Sequence, residues 1–286
     1  MARCRKLTVS AINITMHPHK PEWYGDVIRS LHERAIITQV RGLDWGMIGT
    51  LTHHSDDSVI TGTIWRFLNL DPSEPWLNLQ TRSPMSGEGD EPIIPDHLKP
   101  HLRRFEFVFF TNGHRIFFDS RKASPATVQR LLLGLFSDPV ISRKYGDISV
   151  VVESDHQTID SILSIHRRAY IEIFFKKPNA DDLSEIQKRM LDRMNAQNAA
   201  SLDETWKGPR GGNIQPDRET IGLMEMALSN GHVKAVGYTE GEERVELDSD
   251  SHPVKKDVSY DPDEETVWEV LVDTGRKLLS KLRRRG

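Results

Sequence analysis

The chain of 286 residues has a single cysteine, Cys4, so no disulfide can form within it. That suits a reducing compartment, and a cytoplasmic location is expected. No stretch approaches the roughly 18 uninterrupted apolar residues that a membrane span needs, so no membrane insertion is expected. The start, "MARCRKLTVSAINITMHPHKP", has a basic head and a mildly apolar run broken by Ser10, Asn13 and Thr15. No small-residue cleavage site follows, and the run reads as a first strand rather than a signal peptide. Paired Cys-x-x-Cys, His-Glu-x-x-His and a phosphate loop are also missing.

A global positive charge is lacking too. There are 38 Lys and Arg against 42 Asp and Glu, a net charge of −4 with histidine neutral. That is not the signature of a wholly basic nucleic-acid binder. The charge is unevenly placed. Residues 238–275 are strongly acidic, opposed only by Arg244, Lys255 and Lys256. The last eleven residues, "RKLLSKLRRRG", carry six bases and no acid. Any contact with a polyanion must therefore be local.

What is present supports a real core: 37% of the residues are hydrophobic. Residues 6–16 read as a strand and 22–36 as a helix, with strands near 45–53 and 58–68. A loop rich in Pro, Ser, Gly and Asp over 69–101 marks a soft boundary. Residues 102–110 and 114–119 read as a hairpin around Asn112-Gly113. Ser124 caps a helix with Pro125 at its first position. A strand over 147–153, a short helix over 156–165 and a strand over 167–177 follow. Asp182 with Glu185 resembles a cap pair for a helix over 183–200, and Asn230-Gly231 ends a helix over 217–229. These readings give an α+β fold, with mixed or antiparallel sheets, helices on one face and a central β-β-α-β-α-β unit. Three regions are expected: an amino-terminal α+β region over 1–90, a central domain over 91–180 and a helix-rich region over 181–286.

In "LRRFEFVFF", Phe105, Phe107 and Phe109 share one face, which is core. The opposite face, with Arg104, Glu106, Val108 and Phe110, mixes charge with aromatic groups. Basic doublets flank this strand and the one near 170: Arg103-Arg104, Arg121-Lys122, Arg167-Arg168 and Lys176-Lys177. With Arg283, Arg284 and Arg285 of the tail they are the candidate nucleic-acid contacts. The plain alternative is solubility and protection of strand edges.

Histidine offers two further patterns. His17-Pro18-His19 puts two imidazoles on one side of an extended segment, which suits a metal, but no third ligand is nearby in sequence. His53-His54-Ser55 and His156-Gln157-Thr158 match a bare His-x-Ser/Thr phosphoesterase pattern, yet one enters a turn and the other starts a helix. Glu106, Asp119, Glu153 and Glu172 imitate a nuclease carboxylate set, without a lysine at the usual spacing. No cofactor, metal or catalytic residue is assigned on these grounds.

The stretch Ser120-Arg121-Lys122-Ala123-Ser124, between a short strand and a helix, resembles part of the RexA-like phage-exclusion proteins. The phrase "SNGHVKAVGY" looks alike as well. "INITMHPHKPEWY", "GTIWRFLNLD" and "PWLNL" resemble a family of uncharacterised bacterial and phage proteins. RexA-like proteins are dimeric, sequence-nonspecific DNA binders. The resemblance thus implies a non-enzymatic, homodimeric DNA-binding protein of anti-phage defence, with Arg121 and Lys122 as backbone contacts and a possible partner protein. The alternatives are a metal-dependent nuclease or phosphoesterase, and a scaffold subunit.

Overall fold

The computed structural model describes residues 4–53, 58–71, 74, 76–84, 95–181 and 183–283. The chain opens with strand β1 (Arg5–His17), helix α1 (Pro21–Glu33) and strands β2 (Ile37–Arg41), β3 (Asp44–His53) and β4 (Val59–Leu68). Two short strands, β5 (Leu77–Asn78) and β6 (Ser83–Pro84), pair only with each other. Next come β7 (Arg103–Phe110), β8 (Arg115–Asp119), α2 (Pro125–Phe136), α3 (Pro139–Tyr145), β9 (Asp147–Val152), α4 (Gln157–Ser164) and β10 (Arg167–Lys176). The last part holds α5 (Glu185–Ala196), β11 (Ser201–Lys207), α6 (Arg218–Asn230), β12 (Gly231–Tyr238), β13 (Arg244–Asp248), β14 (Lys256–Tyr260) and α7 (Val267–Arg283). The fold is α+β, and its central run is the expected unit with one extra short helix, α3.

An eight-stranded antiparallel sheet runs β14-β1-β8-β7-β4-β3-β2, with β9 joined to the far half of β1. It draws on all three expected regions: Thr61 of β4 pairs with Val108 of β7, and Leu7 of β1 with Val258 of β14. The expected boundaries at 90 and 180 therefore cut through one hydrogen-bonded sheet. Residues 72, 73, 75 and 85–94 of the polar loop that suggested the first boundary lie outside the described residues. The second sheet, β11-β10-β12-β13, is a separate four-stranded unit.

Both faces of the large sheet are buried. Phe105, Phe107 and Phe109 pack with Ile12, Ile14, Tyr24 and Leu131 beneath α1, α2 and α3. Val108 and Phe110, expected on a half-polar face, are buried with Leu271 and Leu279 under α7. Removing three phenylalanines from water contributes roughly 5–8 kcal/mol as an upper value. In the second unit Ile171, Ile173 and Phe175 pack on Leu223, Met224 and Ala227 of α6.

The ends of the helices are fixed by side chains. Ser124 Oγ accepts from Thr127 N–H and Pro125 occupies the first turn of α2, as the sequence predicts. Helix α5 starts with a capping box of Ser184 and Gln187 rather than the expected Asp182 and Glu185. Asp182 lies outside the described residues. Asp217 caps α6 through Thr220 N–H at 2.8 Å.

Candidate metal centre

The two sheets meet along a seam. Asn13 Nδ2 of β1 donates to Ser229 O at 2.8 Å, and Ser154 N–H to Leu228 O at 3.0 Å. A cleft opens beside these bonds, lined by Asn13, His114, Arg115, Glu153, His156 and Asp181 among others. Its volume is near 80 Å³, several times what one water needs.

Three ligand-type side chains converge at its edge. Pro18 follows the end of β1 and Pro21 opens α1, leaving His19 in the turn between them. His114 follows the 3-10 turn Thr111–Gly113 between β7 and β8 and takes φ +57 itself. The sequence pointed to Asn112-Gly113 for that bend. A left-handed non-glycine residue is uncommon and clusters at functional positions. Asp181 comes from the segment after β10. Buried Asn179 pins that segment to β1, donating to Ile14 O at 3.2 Å and accepting from Met16 N–H at 3.4 Å. Asp181 Oδ2 lies 2.9 Å from His114 Nε2 and 3.1 Å from His19 Nε2.

Hydrogen bonding to Tyr24 fixes one proton of His19. The single hydroxyl proton of Tyr24 goes to Asn179 Oδ1 at 2.8 Å. Toward His19 Nδ1, 3.0 Å away, the same oxygen can only accept. His19 Nδ1 therefore carries a proton, and Nε2 is the ring nitrogen turned to Asp181. That nitrogen is buried, and its approach to Asp181 is not aligned as a hydrogen bond. Ligand atoms about 2.1 Å from one ion, at tetrahedral or octahedral angles, stand about 3.0–3.4 Å apart. The 3.1 Å separation falls at that spacing, and the 2.9 Å one, a hydrogen bond, just below it.

At His114 the surroundings favour the neutral imidazole that a metal takes. Burial lowers the pKa of His114, against an opposing hydrogen bond from Asp181. Burial raises the carboxyl of Asp181, but the His114 hydrogen bond and the attraction of the His19 and His114 rings in their protonated form outweigh it and leave it below its ordinary value. Tyr24 supports both rings: it holds His19 Nδ1, and its ring lies 4.0 Å from that of His114. His17, paired with His19 in the sequence reading, is turned away, with Nε2 2.8 Å from Lys177 O. The missing third ligand was 95 and 162 positions downstream of His19, where spacing carries no signal.

The basic doublets do not gather at one place. Arg103 pairs with Asp44 at 2.8 Å, Lys122 with Glu106 at 2.6 Å and Arg121 with Asp119 at 3.3 Å, all on the large sheet. Arg121 also donates to Lys6 O. On the small sheet Arg167 pairs with Glu242 and lies over Tyr238. Arg168 donates to the carbonyls of Ile214, Leu163 and Ile165. Arg104 and Lys176 are exposed without an ion-pair partner among the described residues, as is half-buried Lys177. Arg283 ends α7. Arg284 and Arg285 lie outside the described residues, as do His54 and Ser55. The four carboxylates read as a nuclease set are dispersed: Glu106, Asp119 and Glu153 serve as partners of Lys122, Arg121 and Arg115, and Glu172 sits on the other sheet.

A family model described as a domain of unknown function, DUF4747, matches residues 5–276, and the chain belongs to that family. No curated protein matches it. No helix among the described residues is long and apolar enough to cross a membrane.

Proposed function

We propose that this chain is a divalent-metal-dependent hydrolase whose ion is held by His19, His114 and Asp181. One observation carries the reading: ligand atoms of His19, His114 and Asp181 lie within 4.8 Å of one another, and buried His19 Nε2 makes no aligned hydrogen bond. A divalent cation held by these three groups would keep a coordination position open for water or substrate. An ion there would polarise an ester and bring the pKa of a coordinated water toward neutrality. His156 lines the same cleft, with Glu225 3.2 Å from its Nε2. A carboxylate-backed imidazole is suited to take a proton from water and return it to the leaving group. The polar walls, Asn13, Arg115, Glu153 and Asn230, favour a charged substrate over an apolar one.

The test uses the full chain. Metal-free protein titrated with Zn²⁺ or Mn²⁺ in a calorimeter is expected to take one ion per chain at the three ligands. The loaded protein is expected to hydrolyse p-nitrophenyl phosphate esters, and EDTA to stop it. Failure to bind an ion stoichiometrically overturns the reading.

Sequence-nonspecific DNA binding by a cytoplasmic homodimer in phage defence is the second reading. It is favoured by the face of the small sheet that carries half-buried Tyr170, Phe174 and Tyr238 on its two central strands. Bases can stack on such rings. Arg104 and Lys176 are the cations left for phosphates. With about two phosphates neutralised, log K against log salt on duplex DNA should slope near −2. A flat slope in a gel-shift titration excludes it.

A further inference from the structure

The cleft beside the three ligands contains one fixed cation that the hydrolase reading leaves without a task. Arg115 follows His114 directly and lines the same cleft. Its guanidinium is held on two sides: Nε donates to Glu153 Oε1 at 2.7 Å, and Nη1 to Gly113 O at 2.7 Å. Glu153 is fully buried, and its other oxygen accepts from Ser229 Oγ at 2.8 Å. Nη2 has no hydrogen bond to any described residue. A planar fork pinned along one edge presents its remaining N–H groups in a fixed direction.

Charge decides when such a fork can take an anion. Glu153, Asp181 and Glu225 outnumber Arg115 in the cleft wall, a local charge of −2 with the histidines neutral. A divalent ion brings that sum to zero and adds a strong positive centre beside His114. An anion is therefore repelled from the empty cleft and admitted to the loaded one. The cleft's volume near 80 Å³ suits one small tetrahedral group, with the remainder of a substrate outside.

We infer that the cleft binds the terminal phosphate of a phosphomonoester between the metal ion and Arg115 Nη2, and only after the ion is in place. This rests on the hydrolase reading and names its substrate class. Hydrolysis of that group forms a P–O bond from water and breaks the ester P–O bond. The proton lost by the water ends on the released alcohol.

The probe is inorganic phosphate, titrated into Mn²⁺-loaded and metal-free full-length protein. Binding is expected in the loaded protein and none in the metal-free protein. Arg115→Lys keeps a cation for Glu153 but loses the fork, so phosphate should weaken about tenfold or more while the ion binds as in wild type. By linkage, phosphate must tighten Mn²⁺ by the same factor as Mn²⁺ tightens phosphate. That measurement needs only wild-type protein and stands if the variant fails to fold. Protein that takes the ion but no phosphate overturns this inference alone. So does phosphate binding that is equal without metal or unchanged in Arg115→Lys. Protein that takes no ion overturns the hydrolase reading itself.

Discussion

An Asp181→Asn chain is expected to lose divalent-ion affinity by at least about a hundredfold while its melting temperature stays within a few degrees of wild type. The magnitude follows from the ligand's position. Removing groups that merely support metal ligands costs about 10–100-fold, and Asp181 would touch the ion itself. The amide has the same shape and keeps an oxygen near His114 Nε2, 2.9 Å away in the wild type. Asp181 is also 45% exposed, so its charge contributes little to folding. His17→Ala is the matched control. His17 Nε2 is bonded to Lys177 O, so this variant gives up about one hydrogen bond of stability, near 1 kcal/mol, with ion affinity unchanged. Calorimetry with Zn²⁺ and a thermal melt measure both quantities on each protein. Equal ion affinity in wild type and Asp181→Asn removes Asp181 from the site.

The largest stability loss is expected at Glu153. This carboxylate has no solvent exposure, and it holds Arg115 and Ser229 at 2.7 and 2.8 Å. Glu153→Ala leaves Arg115, only 14% exposed, with no carboxylate beside it. Breaking one partner out of a buried pair costs about 3–5 kcal/mol, because a charge stays behind in a poorly solvated place. Ser229 loses its acceptor too, at the seam between the sheets. A urea melt should move the midpoint down by that loss divided by m, at constant slope. A loss under 1 kcal/mol would mean that water reaches Arg115 freely.

Much of the fold was legible because the signals were local. Ser124 and Pro125 announced α2, Asn230 and Gly231 closed α6, and alternation placed Phe105, Phe107 and Phe109 inward. Local signals also misled. Alternation marked Val108 and Phe110 as half-exposed, since α7, which buries them, is more than 150 residues away. The polar run before Arg103 looked like a boundary, although β4 and β7 on either side of it are paired strands. For the candidate site, the sequence showed His19 but coupled it to His17, its near neighbour. His114 passed as part of a hairpin, and Asp181 as a residue beside a helix cap. Only the docking of the segment after β10 onto β1, through Asn179, brings these three together. The basic doublets were visible as charge, but the carboxylate partners Asp44, Glu106 and Glu242 come from other strands and loops, and only Asp119 is a near neighbour of its partner Arg121.

The three ligands lie on segments that leave the large sheet at two places and the small sheet at a third. An ion bridging them would act as a rivet between the halves of the molecule. Its occupancy and the fit of the halves then become one equilibrium: scarce metal loosens the joint, and whatever pries the joint apart ejects the metal. The availability of free divalent cations in the surroundings would thereby set the mechanical stiffness of the whole chain.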